Sequence, residues 1–151
     1  CGLEVQVVMT KEAQELIKPI VFQSLSGNRV YSAGIFEAPD TWDIAHVALA
    51  AKADLILIAP ATANIIAKLA AGICDDLLTC VVCASKAKVL IAPAMNENMY
   101  QNKITQSNIA KLKSCGYKFI APAKGLLACG TVGVGCLAET DQIVKEVKKL
   151  L

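Results

Sequence analysis

An α/β fold of three layers, a mainly parallel sheet between two layers of helices, is what this sequence predicts. Short β-branched and apolar runs alternate along the chain with stretches of helical period, the order that builds parallel sheets. Hydrophobic residues make up 55% of the chain but aromatic ones only 5%, a balance set by Ala, Ile, Leu and Val. Strands buried on both faces have that composition. At 151 residues the chain is long enough for one full core and too short for two, so residues 1–151 are expected to form a single domain.

The elements follow in order. Val5–Met9 reads as a strand, and Thr10 can cap a helix over Lys11–Ile17. Pro19 can start a second helix through Leu25, which Gly27-Asn28 ends, and Arg29–Tyr31 reads as a minor strand. Residues 32–41 read as an exposed loop, and Trp42–Ala51 as a helix that carries His46. Ala53–Pro60, a continuous apolar run stopped by proline, is the strongest strand signal and is expected at the centre of the sheet. A helix over Ala61–Ala71 ends at Gly72, and Asp75 can cap another through Cys83. Strand Lys88–Ala92, helix Lys103–Ser114, strand Tyr117–Ala121 and an amphipathic helix Asp141–Leu151 complete the alternation. Ligand sites in such sheets lie at the C-terminal ends of the strands.

Several function classes are excluded by composition. The net charge of +2 comes from dispersed lysines with Arg29 as the single arginine, so no basic patch speaks for nucleic acid. Asp54, Pro60, Asn64 and Lys68 interrupt the most apolar region, leaving no stretch of ~18 residues for a membrane span. Seven cysteines, an odd number, without a secretory leader fit a reducing, cytoplasmic setting. Cys80 and Cys83 have CxxC spacing, but with no second pair and His46 as the one histidine they read as small apolar residues rather than metal ligands.

Chemistry-bearing residues gather at the expected strand ends. After Lys88–Ala92 comes Pro93-Ala-Met-Asn-Glu-Asn-Met-Tyr100. Asn96 offers an amide that can meet a carboxylate, and Met95 and Met99 offer pliable apolar surface. The plainer reading is a strand-to-helix turn with Asn as the cap. Thr62 and Asn64 follow the strong strand in the same way. Gly125–Cys136 holds four glycines in twelve residues, which reads as a flexible flap carrying Cys129, or as a surface loop, rather than a regular element. His46 is either structural or, as the one side chain titrating near neutrality, a proton carrier. No hydrolase motif and no metal set is present, so demanding chemistry requires a bound cofactor.

Pro60-Ala-Thr-Ala-Asn-Ile-Ile through Asp76-Leu-Leu78, Pro93-Ala-Met-Asn-Glu-Asn-Met-Tyr100 and Leu127-Ala-Cys-Gly-Thr-Val-Gly-Val-Gly135 together resemble the flavin-dependent cysteine decarboxylases, with Trp42-Asp-Ile-Ala-His46 in the place of the family histidine. The resemblance implies a Rossmann-like, flavodoxin-like flavoprotein that assembles as a homotrimer with FMN near subunit boundaries. It places flavin contacts on Thr10, Thr62, Ala63, Asn64, Ile65 and Ala94, substrate contacts on Asn96, Met95 and Met99, the active-site histidine on His46 and the proton-donating cysteine on Cys129. It implies decarboxylation of 4'-phosphopantothenoylcysteine to 4'-phosphopantetheine in coenzyme A synthesis. Flavin oxidation of the CH2–SH end supplies the electron sink that the side chains lack, and the resulting enethiol is then reduced and protonated. The rivals are oxidative decarboxylation of a peptidyl cysteine, which stops at the enethiol, and a non-catalytic regulatory member of the fold.

The chain departs from the family pattern in three places. It begins at the position of the second strand, so the family's central first strand and its glycine-rich phosphate turn are expected to be missing from it. Ile65 stands where the flavin segment usually has threonine, and Cys136 stands where many members have arginine.

Overall fold

A computed structural model describes residues 2–32, 44–128 and 130–151. Strand β1 (Val7–Val8) leads into helix α1 (Lys11–Leu16), whose first turn is capped by the Thr10 hydroxyl accepting from the Ala13 N–H at 3.3 Å. Helix α2 (Pro19–Ser26) begins on its proline and ends at Gly27, whose left-handed backbone (φ 68°) a side chain would oppose. Strand β2 (Val30–Tyr31) then pairs in parallel with β1. Helix α3 (Ala45–Lys52), strand β3 (Leu55–Ala61) and helix α4 (Ala63–Ala71) follow, with Thr62 as the cap of α4 and Gly72 as its left-handed stop. Helix α5 (Leu77–Ala84) leads to strand β4 (Lys88–Pro93), the short helix α6 (Glu97–Gln101), helix α7 (Lys103–Ser114) and strand β5 (Lys118–Phe119). Strands β6 (Ala123–Leu126) and β7 (Val132–Cys136) precede the last helix, α8 (Thr140–Leu150).

Strands β3, β4 and β5 form one parallel sheet in that order, and β1 with β2 form a second parallel pair. No strand pairing among the described residues joins the two. They meet instead through one apolar cluster, Leu49, Ala50, Leu77 and Val81, on which Val8 and Tyr31 pack from one sheet and Ile56 from the other. The α/β class and the parallel pairing are those expected from sequence. The central position is not: β4, with a partner on each side, lies in the middle of its sheet, whereas β3, the stronger apolar run, is paired on one side alone. Ile91 is 0% exposed while Leu57 of β3 is 41% exposed. Hydropathy ranks strands by what they can bury, but a flank is buried only where another strand or helix covers it.

The main core lies between the β3–β4–β5 sheet and helices α4 and α7. It contains Ile58, Ile65, Ile66, Val82, Val89, Ile91, Ile109 and Leu112. The other face carries Leu90, Ala92, Ile120, Ala138 and Ile143 and so docks α8. Adjacent β4 residues thus feed opposite layers, as the two-residue strand period requires, and that pattern makes the sandwich. One capping residue differs from expectation. Asp76, not Asp75, caps α5: its carboxylate accepts from the Thr79 N–H at 2.8 Å while the Thr79 hydroxyl accepts from the Asp76 N–H at 3.2 Å. Asp75 instead pairs with Lys68 at 2.8 Å.

The glycine-rich stretch also differs from expectation. Its ends pair as antiparallel strands, with Lys124 facing Val134 and Leu126 facing Val132, and the register shifts between Ala123 and Lys124. The sequence hides it because glycine has low strand propensity, while the pairing is set by a partner strand and by a nearby chain that approaches closely.

Candidate active site

The C-terminal ends of β3 and β4 lie side by side. Ala61 is in register with Pro93, and the Ala94 N–H donates to the Ala61 carbonyl at 3.0 Å. Each strand therefore delivers its chemistry-bearing residues to one edge: Thr62, Ala63 and Asn64 from β3, and Ala94, Met95 and Asn96 from β4. The Ala59–Pro60 peptide is cis, and the β3–β4 register shifts between Ile58 and Ala61. Thr62 is exposed, but its hydroxyl is committed to the helix, accepting from the Ile65 N–H at 3.3 Å. Ile65 is 7% exposed and belongs to the main core. The segment to which the sequence assigns flavin contacts is thus a helix start with alternate duties, in which Asn64 is exposed, Ala63 is half-buried and Ile65 anchors the turn.

Asn96 is the cap of α6, its Oδ1 accepting from the Asn98 N–H at 2.9 Å. The capped turn and the substrate contact, set out as alternatives from sequence, are compatible. An asparagine whose oxygen is held by the helix has a fixed amide plane, and a carboxylate calls on its Nδ2 donors. Met95 is half-buried against the main core, and Met99 is 48% exposed. They divide the apolar work between anchoring this segment and offering surface.

Two glycines bring the β6–β7 hairpin onto this segment. The Met95 N–H donates to the Gly135 carbonyl at 2.9 Å. A Cβ on Gly135 would overlap the Met95 carbonyl oxygen, and one on Gly133 would stand 2.8 Å from Cδ of Glu97. Residues 133 and 135 share one face of β7, so the Gly-x-Gly spacing leaves that face bare for the 95–97 backbone. Glu97 completes the contact, its Oε1 accepting from the Val134 N–H at 3.1 Å and from Gln101 Nε2 at 3.2 Å. Glu97 escaped the sequence reading. The available signal was the pair of glycines two residues apart in a strand-like run.

Thr10 sits at the C-terminal end of β1, in the other sheet, with its hydroxyl in the α1 cap. His46 lies in the first turn of α3, a helix that packs on α5. Its Nδ1 is buried with no hydrogen-bond partner among the described residues. Cys129, Trp42 and most of the expected loop over 32–41 lie outside the described residues.

Beside Glu97, whose carboxylate is engaged by the hairpin and Gln101, the strand ends carry neutral polar and apolar groups. Thr62, Asn64 and Asn96 supply hydroxyl and amide groups at two neighbouring helix starts, and Met95 and Met99 supply soft apolar surface, whereas His46 and Thr10 lie on other elements, α3 and the end of β1. That set suits a flat, heteroatom-rich ring and an anionic substrate held without a full positive charge. No group of three or more His, Cys, Asp or Glu that could hold a metal ion lies among the described residues. Nor is any described helix long and apolar enough to cross a membrane.

Comparison with known proteins identifies the family. The Flavoprotein family model matches residues 1–151, and the chain belongs to that family. It is 48% identical over 152 residues to a probable phosphopantothenoylcysteine decarboxylase of Streptococcus mutans, covering 99% of this chain and 84% of that one. It is 47% identical over 148 residues to the coenzyme A biosynthesis bifunctional protein CoaBC of Bacillus subtilis, with 98% of this chain aligned to 36% of the longer relative. Among solved structures, a mutant PPC decarboxylase complexed with pantothenoylaminoethenethiol superposes with a TM-score of 0.83 at 32% identity, over 97% of this chain and 82% of that one. The FMN-dependent cysteine decarboxylase SpaF gives 0.80 at 34%, over 96% and 78%.

Proposed function

We propose that this chain is a carboxy-lyase that uses FMN to decarboxylate 4'-phosphopantothenoylcysteine to 4'-phosphopantetheine, a step of coenzyme A biosynthesis. The observation that carries the reading is the 48% identity to the Streptococcus mutans decarboxylase, which spans 84% of that protein. The fold by itself separates substrates poorly, since the PPC decarboxylase and SpaF structures superpose almost equally well. The chain spans about a third of the bifunctional CoaBC relative, at 36%, so no second activity is assigned to it.

Bound FMN would supply the electron sink that the side chains lack, by which the cysteine carboxylate can leave as CO2. The protein's own residues do the rest. Ala63 and Asn64 at the start of α4, Thr62 and Ile65 through the backbone they shape, Ala94 at the end of β4 and Thr10 at the end of β1 hold the flavin. Asn96 holds the substrate carboxylate through Nδ2–H donors, with its oxygen already committed to the α6 cap. A neutral clamp stabilises the ground-state carboxylate less than a cation would, which favours release of CO2. Met95 and Met99 fill the apolar space beside it. His46, with its buried Nδ1, serves as the active-site histidine. Cys129 supplies the proton that, with the hydride the reduced flavin would supply, converts the enethiol to the thiol product. The chain folds as one domain, assembles as a homotrimer with the flavin near subunit boundaries, and works in the cytoplasm.

The test is to load the purified protein with FMN, supply phosphopantothenoylcysteine, and follow CO2 and thiol product. A flavin absorption spectrum with CO2 release and phosphopantetheine is expected, and the absence of CO2 from the FMN-loaded protein would overturn the reading. Release of CO2 from a cysteine-ending peptide, but not from phosphopantothenoylcysteine, would move the substrate to peptidyl cysteine. Cys129→Ser is expected to release CO2 while accumulating the enethiol.

A further inference from the structure

Glu97 is not among the residues to which the resemblance assigns a role, yet it joins two parts of the site that are 37 residues apart in the chain. Its carboxylate reaches from the first turn of α6 to the Val134 amide of β7 at 3.1 Å, directly beside the Met95 N–H to Gly135 carbonyl bond at 2.9 Å. The Gln101 amide, one turn along α6, donates to the same oxygen at 3.2 Å and fixes its rotamer. Gly133 leaves no room for a side chain beside this carboxylate, and Gly135 leaves none beside the Met95 carbonyl. The hairpin face is therefore shaped around Glu97 and Met95, and the contact consists of one backbone bond and one charge-assisted side-chain bond.

We propose that Glu97 is a positioning residue that latches the β6–β7 hairpin onto the Met95–Asn96 substrate segment, so that the proton donor carried by the hairpin's connection and the carboxylate clamp are set relative to one another. The proposal rests on the decarboxylase reading for its chemical consequence and on geometry alone for the latch. Hydrogen bonds to an ionised acceptor are about twice as strong as neutral ones, so losing the carboxylate frees β7 more than losing an ordinary surface contact would. The consequence falls late in the reaction. Decarboxylation needs the carboxylate at Asn96, which stays in place, whereas protonation needs the hairpin seated.

The experiment uses the FMN-loaded protein and four variants: Glu97→Ala, Glu97→Gln, Gly133→Ala, and Glu97→Ala combined with Gly133→Ala. Hydrogen exchange at the Val134 amide and the ratio of enethiol to thiol product are both measured. Glu97→Ala is expected to speed Val134 exchange about tenfold and to raise the enethiol share, with CO2 release largely kept. Glu97→Gln retains an acceptor oxygen and is expected to stay within about threefold of the parent in both. Gly133→Ala is expected to mimic Glu97→Ala, because the new methyl displaces the carboxylate, and to add nothing further in the double variant. Unchanged exchange and unchanged product ratio in Glu97→Ala would overturn the latch, as would equal and additive effects of Gly133→Ala in both backgrounds. If the parent protein releases no CO2, the functional reading fails while the exchange data still decide whether the latch exists.

Discussion

Strands β3 and β4 run side by side through one sheet, yet one is enclosed and the other half-open. β4 has strands on both edges and helices on both faces, and Leu90, Ile91 and Ala92 are almost wholly buried. β3 has β4 on one edge, and its apolar side chains are less well covered, Leu57 above all. Both strands nevertheless end in the same kind of device, a polar residue that caps the next helix and sits at the candidate site: Thr62 after β3 and Asn96 after β4. The difference teaches that the core is concentrated in β4 while the site is shared. Loss of packing in β4 should cost the fold, and loss of the caps should cost the site.

The sharpest test of that division is a pair of truncations. Ile91→Ala removes a side chain that is 0% exposed and is expected to destabilise by about 4 kcal/mol, whereas Leu57→Ala is expected to cost about 1 kcal/mol because no closed cavity is left. Denaturant midpoints at constant slope would measure both, and equal losses would break the comparison. Next in size is Gly135→Ala, whose methyl meets the Met95 backbone rather than a flexible tip. Overpacking of that kind costs about 2 kcal/mol, and here it should also separate the hairpin from the clamp, read as faster exchange of the Met95 amide.

A smaller effect belongs to the corner between α4 and α5. Asp76→Ala is expected to lose about 1 kcal/mol as a cap, and Asp75→Ala, an exposed partner of Lys68, less than about 0.5 kcal/mol. Burial pushes the Asp76 carboxyl upward, but the Thr79 amide and hydroxyl and the Lys68 ammonium outweigh it and leave it below its ordinary range. The folded state therefore binds this proton less readily than the unfolded chain. The cap's contribution is complete above the ordinary carboxylate range and fades as pH falls through the depressed value. Stability of the parent and of Asp76→Ala should converge in acid, and parallel curves would refute the assignment.

The smallest expected effect lies in the same corner, where Cys74 and Cys83 line a notch with Leu69, Gly72 and Tyr117. The hydrogen bond with Cys83, together with burial, pushes the Cys74 thiol up to about 11 from an ordinary value of 9.0. A raised folded value means the neutral thiol is favoured on folding, so its contribution is present below pH 9 and disappears as pH rises towards 11. Alkylation of Cys74 in the folded protein should accordingly accelerate up to about pH 11, and a plateau by pH 9 would contradict the assignment.

Much of the site was readable because its signals are local. A helix cap depends on one side chain and the two or three amides that follow it, so Thr10 and Asn96 were placed at helix starts by residue type and position, whereas Thr62, expected inside a helix beginning at Ala61, caps α4 because Ala61 completes β3. Asp75 was expected as the α5 cap and Asp76 takes the role, because adjacent carboxylates both satisfy that rule and only Asp76 exchanges hydrogen bonds with Thr79. The hairpin was not readable in this way. Glycines at 125, 133 and 135 argue against a strand when taken singly, and they make sense only once Met95, Glu97 and Cys136 are seen against them.

By itself, the sequence determined the α/β class, the order of the elements as far as β5 and again at the last helix, the caps at Thr10 and Asn96 and the motifs that mark a flavin-dependent decarboxylase, because each depends on neighbours within a few residues. Tertiary structure alone decided that β4 and not β3 is enclosed, that Ile65 is a core anchor at the start of α4, that the glycine-rich stretch is a hairpin, and that Glu97 ties it to the Asn96 segment. The physical reason is that burial and strand pairing are relations between distant parts of the chain, and a residue's own chemistry states only what it can offer to such a partner.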